Sequence, residues 1–565
     1  MKRNQIIFII VVVSLTILSL FWRVHSVSGV VYDTEGRPLP GTIVRVKATD
    51  IDTETDTTGH FTFNRFEPAF RVRVTAWQDG YYIGGANAWP WDSTIEIVLA
   101  PYVASDHPDY TWLSPAIETR SPKEEWLVQT SLNLAAWISI DNVFKPLSEH
   151  LVLGCRDCHQ AIYEEWNASA HSFGVKNIRF MTMYNGTDVN GVQSPLTRYA
   201  VHRDYGRIPL PPDTNQPYFG PGFKLDSPDS AGNCATCHLP TLATENSYSA
   251  NPNHASGVDA EGTHCDFCHK IAAIKLDPDT GEPYKNMPGV MSIELMRPEP
   301  GSQLFFGPYD DVDFGRDTYL PEMKQSEICA ACHFASFWGT PIYQSFVEWQ
   351  TSSYPAEGKN CQSCHMQPND VVTNFAPGRG GVERNPDTIP THRFLGVDEI
   401  LLQNTTEMTV TTRREDSQFI VTVSVTNARA GHHIPTDSPL RQIFLVVTAT
   451  DKQGRSLPLQ GGPTLPDWAG DLAGLPGIYF AKILEQLWTG ITPTGAYWTP
   501  TRVVEDTRLP ARATNTSRYI FTAPSNDPIT VEARLIFRRA YYELVQQKDW
   551  DTPDILMKSI TVVAP

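Results

Sequence analysis

Apolar and polar residues alternate with a period of two in two stretches of the chain, one toward each end. In the first, Thr42-Ile43-Val44-Arg45-Val46, Phe61-Thr62-Phe63 and Val72-Arg73-Val74-Thr75-Ala76-Trp77 follow a Val27-to-Asp33 run that ends in a Glu35-Gly36 turn. Alternate side chains of a strand lie on opposite faces. Strands broken by Gly and Asp turns therefore predict a small β-sandwich over 27–103. In the second, Met408–Thr411, Phe419–Val425, Ile443–Ala449 and Ile529–Phe537 predict a larger β-sandwich over 399–565. Neither period persists between them. Residues 104–149 read as a connector with one or two short helices from Trp126 to Leu147, and 150–398 as a Gly- and Pro-rich region of short helices and irregular chain. Ile162, Trp166 and Ser169 have helical spacing there. The fold class this predicts is multidomain: an N-terminal β-sandwich, a central mostly α or irregular domain, and a C-terminal β-sandwich packed on it.

The N-terminus has a pattern of its own. Lys2 and Arg3 precede an apolar run, 6–22, closed by Arg23. The run is at the short end of the membrane-spanning range, and Val24-His25-Ser26 is a candidate cleavage site, so 1–26 reads as a signal anchor or a signal peptide. Either reading exports the bulk of the chain to the periplasm or cell surface, with Lys2 and Arg3 inside. Of the two, an anchor that tethers the chain to the membrane is the expectation. The whole 565-residue chain carries a net charge of −18, which repels phosphate and argues against a nucleic-acid partner.

The ten cysteines decide the chemistry. They fall as Cys155/Cys158, Cys234/Cys237, Cys265/Cys268, Cys329/Cys332 and Cys361/Cys364, and each pair is followed at once by a histidine: His159, His238, His269, His333 and His365. C-x-x-C-H is the attachment signature of c-type haem, two thiols for the porphyrin and the histidine for the iron. A disulfide framework has no need of a histidine after every second cysteine, and zinc sites commonly take two such pairs each, which five pairs cannot supply evenly. Five covalent haems are the expectation, and 150–398 is their domain. Motifs two and three lie close in the chain, as do four and five, which favours two side-by-side haem pairs.

A second histidine saturates a haem iron for electron transfer, whereas an open position admits a substrate. His171, His392, His432 and His264 are the candidate second ligands. His254 competes with His264, and His433 adjoins His432. After the fourth motif, Glu348-Trp349 to Tyr354 echoes Glu165-Trp166 to His171, with a tyrosine where the histidine stands. The bland reading of Tyr354 is packing, and the sharper one is an iron short of its second imidazole.

Two resemblances add to this. V-S-G-V-V-Y-D-x-x-G-x-P-L-P-G from Val27 and T-G-H-F-T-F from Thr58 resemble the carboxypeptidase regulatory-like domain family, which implies a transthyretin-like sandwich for spacing or docking. C-R-D-C-H through His171, Met183 to Asp188, G-T-H-C-D-F-C-H-K and E-W-Q-T-S-S-Y…C-Q-S-C-H-M are similar to the multihaem cytochrome c family that includes the tetrahaem cytochrome of the hydroxylamine pathway; Gly431-His432-His433-Ile434-Pro435-Thr436 resembles its C-terminal parts. The likeness spans roughly 150–440. It implies closely stacked haems, mostly with two histidines, with the five motif histidines proximal and His171 distal. The chain departs from the tetrahaem pattern by a fifth motif, and it lacks the C-x-x-C-K site of pentahaem nitrite reductases. The expected function is an exported pentahaem electron carrier between a redox donor protein and a redox acceptor; a subunit of a larger redox assembly is a further reading. The alternative is a multihaem oxidoreductase with one five-coordinate haem acting on a small nitrogen or sulfur compound.

Overall fold

The computed structural model describes residues 23–118, 120–138, 153–313, 315–377, 379–523 and 527–565. The apolar run 6–22 lies outside them. Among the described residues no helix is long and apolar enough to cross a membrane.

Alternation becomes strand pairing at both ends. The N-terminal strands are β1 (Val27–Asp33), β2 (Ile43–Val46), β3 (Asp52–Glu54), β4 (His60–Phe63), β5 (Val72–Trp77), β6 (Gly84–Ala88) and β7 (Ile95–Leu99). They form two sheets, β4-β1-β7 and β3-β2-β5-β6. The apolar alternates Val31, Val44, Val74, Ala76, Ile97 and Leu99 meet between them, fully buried. The C-terminal strands are β8 (Thr406–Glu415), β9 (Gln418–Asn427), β10 (Gln442–Thr450), β11 (Leu459–Gly461), β12 (Gly477–Gln486), β13 (Thr501–Asp506), β14 (Thr514–Thr522), β15 (Ile529–Arg538) and β16 (Ile555–Ala564). Their sheets run β8-β9-β14-β11 and β13-β12-β10-β15-β16. Val421, Val423, Leu445, Val447, Ala533 and Leu535 fill the space between. Central strand β10 is buried on nearly every residue, because the short helical stretch 467–472 covers its other face through Leu465, Ala469 and Leu472.

The middle of the chain is less helical than its sequence suggests. Pro122–Ile138 is a helix of 17 residues, but the α-helices from 153 to 398 run only four to eight residues and alternate with two-stranded hairpins such as Ala335–Phe337 with Thr340–Tyr343. Glycine and proline cut the helices short. Small apolar clusters, not one continuous core, hold this region: Leu239, Phe267 and Ile293 in one, Phe334, Phe346, Trp349 and Tyr354 in another.

Both sandwiches grip the middle with buried polar contacts. Arg45 makes a two-pronged pair with Asp310 at 2.7 and 2.8 Å, Lys47 and Arg73 converge on Asp313, and Arg384 and the Ala48 N–H reach Asp311. From the C-terminal side, Arg508 pairs with Glu348 at 2.5 Å and the Lys482 ammonium donates to the Pro341 and Ile342 carbonyls. The Lys548 ammonium donates to the Thr182, Thr187 and Pro221 carbonyls at 3.0, 2.9 and 2.6 Å. Buried charges persist only when paired or hydrogen-bonded, so these contacts fix the sandwiches against the central region.

Candidate haem sites

Each C-x-x-C-H segment folds as one helical turn. The histidine N–H donates to the carbonyl of the first cysteine in all five: His159 to Cys155 (2.9 Å), His238 to Cys234 (3.2 Å), His269 to Cys265 (3.0 Å), His333 to Cys329 (3.1 Å) and His365 to Cys361 (3.0 Å). That i-to-i−4 bond winds two thiols and an imidazole onto one small surface. Neighbouring side chains hold the turns. Asp157 of the first motif takes both prongs of Arg120 (2.7 and 2.6 Å), and Asp266 of the third binds the Lys270 ammonium, the Tyr110 hydroxyl and the Leu113 N–H, all out of solvent.

None of the ten cysteines is paired in a disulfide, and all ten line one connected cavity of about 2800 Å³. Small-molecule pockets are several times smaller, and protein interiors are close-packed, so a space of this size is a cradle for several large groups. The thiols interact across motifs: Cys155 with Cys265, Cys237 with Cys332, Cys329 with Cys361, while Cys268 lies close enough to Cys329 and Cys332 to act on both. The first site thus neighbours the third, the third the fourth, and the fourth both the second and the fifth. Proximity of motifs four and five follows the chain spacing. The second motif meets two others: Ala235 shares an apolar cluster with Phe267 of the third, as the chain spacing favours, and with Ala331 of the fourth, and Tyr343 from the hairpin after the fourth acts on Cys237.

The imidazoles fit the same groups. His159 Nδ1–H donates to the Phe375 carbonyl (2.8 Å), His269 Nδ1–H to the Phe306 carbonyl (2.6 Å), His365 Nδ1–H to the Leu395 carbonyl, and His333 Nδ1–H to the Asp437 carboxylate (2.9 Å). A partner at Nδ1 fixes the ring and leaves Nε2 for a metal. Burial holds His159 and His269 below the ordinary histidine value and takes His238 and His365 down to about 4, so they are neutral, ligand-competent rings at neutral pH. His333 differs: burial pulls it down, but the Asp437 carboxylate outweighs burial and raises it.

The four candidate second ligands, His171, His264, His392 and His432, also line the cavity. His171 Nδ1, His264 Nε2 and His392 Nδ1 are buried without a hydrogen-bond partner, an expensive state for a polar atom unless something else meets it. Burial lowers His171 and His264 to about 4 and His392 to about 3. Ring centres of His171 and His333 lie 6.5 Å apart, and those of His365 and His432 6.2 Å. With metal–nitrogen bonds of about 2 Å, two imidazoles on opposite faces of one metal have centres roughly 6 Å apart. His392 approaches both His159 and His269. Gly262 permits the His171 turn: at φ +77° it lies so close that a Cβ there would sit 2.4 Å from the His171 carbonyl oxygen. Thr263 N–H then bonds that carbonyl at 2.8 Å.

Two other candidates part company with the cavity, while Tyr354 stays at its wall. His433 turns toward Glu348 (3.7 Å) and His254 is exposed. Tyr354 is buried, its hydroxyl donates to the Ala428 carbonyl (3.3 Å), and Arg512 covers its ring at 4.5 Å. The second motif has different neighbours. Phe180 stacks on His238 at 4.1 Å and 10°, and among the described residues no second histidine acts on that ring. Tyr343 and Tyr497, both half-buried at the cavity wall, join hydroxyls at 2.5 Å beside Cys237. Asp437, Phe180 and this tyrosine pair carry no sequence signal of their own, apart from Asp437 following the Gly431–Thr436 segment.

Residues 154–194 match the family model described as cytochrome c554 and c-prime. No curated protein matches the chain. A similar solved structure is the crystal structure of a penta-heme cytochrome c552 from Thermochromatium tepidum: 19% identity, 73% of this chain and 97% of that chain covered, TM-score 0.48. The five attachment turns on one cavity, together with the matched segment, indicate a multihaem cytochrome c.

Proposed function

We propose that this chain is an exported pentahaem c-type cytochrome that relays single electrons between a donor and an acceptor protein, without chemistry of its own. The observation that carries the reading is the single cavity on which all ten thiols and all nine candidate histidines converge, with neighbouring motifs in contact from the first to the fifth. Haem iron supplies one-electron exchange; the protein supplies spacing, axial ligands and a low-dielectric surround. Cys155/Cys158, Cys234/Cys237, Cys265/Cys268, Cys329/Cys332 and Cys361/Cys364 would hold the five groups, with His159, His238, His269, His333 and His365 as proximal ligands. His171 would complete the fourth site opposite His333, and His432 the fifth opposite His365, as the ring spacings support. His392 and His264 would serve the first and third. The 27–103 sandwich would be a carboxypeptidase regulatory-like spacer, and the kinship with the hydroxylamine-pathway cytochrome would be one of haem arrangement. Intact mass of the purified chain tests the reading: five haem additions are expected, and fewer than five, or none, overturns it.

The surroundings of His238 favour a second reading, in which the second haem keeps one open face and the protein is an oxidoreductase for a small nitrogen or sulfur compound. No second imidazole reaches this ring among the described residues, while a half-buried pair of hydroxyls stands beside the same motif. Electron paramagnetic resonance separates the two. Low-spin signals alone leave a carrier; one high-spin haem per chain that shifts on adding nitrite or hydroxylamine favours the enzyme.

A further inference from the structure

The N-terminal sandwich carries an aromatic cluster that the haem cavity does not use. Phe70 and Trp91 are 54% and 60% exposed. Trp89 and Trp91 stack with ring centres 5.2 Å apart and planes within 6°, and Phe70 meets both edge-on at 5.7 and 6.2 Å. None of the three lines the cavity. A single exposed apolar side chain is ordinary on a protein surface; three large rings braced against one another form a rigid apolar platform. The Arg71 guanidinium borders it, 5.8 Å from the Trp89 ring centre, and the Asp92 carboxylate accepts from the Trp89 N–H at 2.8 Å.

The position of the cluster points to its partner. Val24 N–H donates to the Ala69 carbonyl at 2.8 Å, and Arg23 donates to the Pro68 carbonyl at 3.1 Å. The backbone that follows the apolar run 6–22 is therefore pinned to the residues immediately before Phe70. The end of the run and the platform meet at one place on the sandwich. Aromatic rings settle at the membrane–water boundary, and arginines beside them favour anionic headgroups.

We propose that Phe70, Trp89 and Trp91 form a membrane-docking platform that seats the N-terminal sandwich in the headgroup layer, beside the point where the apolar run leaves the bilayer. Docking would give the sandwich a fixed attitude, with the haem region carried at a set height above the membrane. The partner is a lipid surface, because the apolar run ends at the platform and Arg23 and Arg71 flank it.

The full chain, reconstituted into phosphatidylcholine–phosphatidylglycerol vesicles that contain a phospholipid with a photoactivatable group near its glycerol, tests this by peptide mass spectrometry. Lipid adducts are expected on the peptides bearing Phe70 and Trp89–Trp91. Trp338, which is 70% exposed elsewhere on the molecule, should carry none. The double variant Phe70→Ser/Trp91→Ser changes only exposed side chains; its haem spectrum should be unchanged and its adducts over residues 65–92 should vanish, while those on 6–22 remain. Adducts confined to 6–22 in the unaltered chain overturn the proposal. So does retention on a polysaccharide matrix that the double variant abolishes without any lipid adduct, since that assigns the platform to a glycan.

Discussion

His333 and His238 occupy the same position of the same motif, and their surroundings differ on both sides. Behind His333 stands a carboxylate, Asp437, held by the Gln344 and Ser345 N–H groups; 6.5 Å across the cavity stands a second imidazole, His171. His238 has a phenyl ring stacked on it at 4.1 Å and a tyrosine pair nearby. An identical five-residue code thus yields a ring braced as an electron-donating ligand in one place and a ring in an apolar, aromatic pocket in the other. The motif fixes where a haem attaches; the chain brought from elsewhere fixes what that haem can do. At the fourth site the carboxylate comes from the C-terminal half, on the loop between β9 and β10, and the facing imidazole from the segment just after the first motif.

The strongest way to break the comparison is to make the two sites alike. His171→Gly should remove the second imidazole from the fourth site and convert one low-spin haem per chain to high spin, read by electron paramagnetic resonance. Added imidazole should restore the low-spin signal, and the haem at His238 should not respond. An unchanged spectrum would refute the pairing of His171 with His333. A smaller change loosens the loop and leaves the ligands in place. Glu348 is buried and receives Arg508 (2.5 Å), the Thr436 hydroxyl (2.6 Å) and the His433 N–H (3.2 Å). Glu348→Ala removes these three contacts and leaves Arg508 to its two-pronged pair with Asp506 (2.8 Å each), a loss of roughly 1–3 kcal/mol. Thermal melts should show that loss together with a broadened low-spin signal from the site of His432. Loss of stability with an unaltered spectrum would separate the clamp from the ligand.

The attachment sites were legible because spacing alone defines them: cysteines at i and i+3 and a histidine at i+4 share one helical turn wherever the turn occurs. The strands were legible because alternation is a local property. Second ligands were legible only as candidates. His432 and His433 are neighbours in sequence and chemically identical, and only the path of the loop sends one ring to His365 and the other to Glu348. The echo that aligns Tyr354 with His171 is real in sequence, yet the Tyr354 hydroxyl is spent on the Ala428 carbonyl. Chain separation bounds how far apart two motifs can be but does not choose their neighbours, so the contact of motif two with motif four had no local signal.

The aromatic side of the comparison can be sharpened by pH. Lys482 donates to the Pro341 and Ile342 carbonyls, next to Tyr343, and burial lowers its pKa to about 8. An unfolded lysine titrates near 10.4. Between about pH 8 and pH 10 the unfolded chain therefore holds a proton that the folded chain has released, and stability from this group rises with pH across that window. Lys482→Met should flatten that rise, by up to about 3 kcal/mol. Denaturant melts from pH 7 to pH 10 would show it. A slope equal to that of the unaltered protein would mean that this lysine stays charged among its carbonyls.

The finest test acts on the other side, on the Asp437 carboxylate alone. Burial would raise this carboxyl, but the hydrogen bond and charge of His333, with Arg441 and the Ser345 N–H, hold it well below the usual carboxylate range, so it is anionic at working pH. An anion bonded to the rear of an axial imidazole favours the more positive, oxidised state of whatever metal that ring binds. Asp437→Asn keeps the shape and an acceptor oxygen and removes the charge. The potential of the fourth haem should rise by about 1 kcal/mol, roughly 40 mV for a one-electron couple. Spectroelectrochemical titration should find a single component displaced upward, with the haem of His238, which has a phenyl ring in place of a carboxylate, where it was. If all components move together, the carboxylate supports the fold generally and does not tune one site; if none moves, the contrast between His333 and His238 lies in the second imidazole alone.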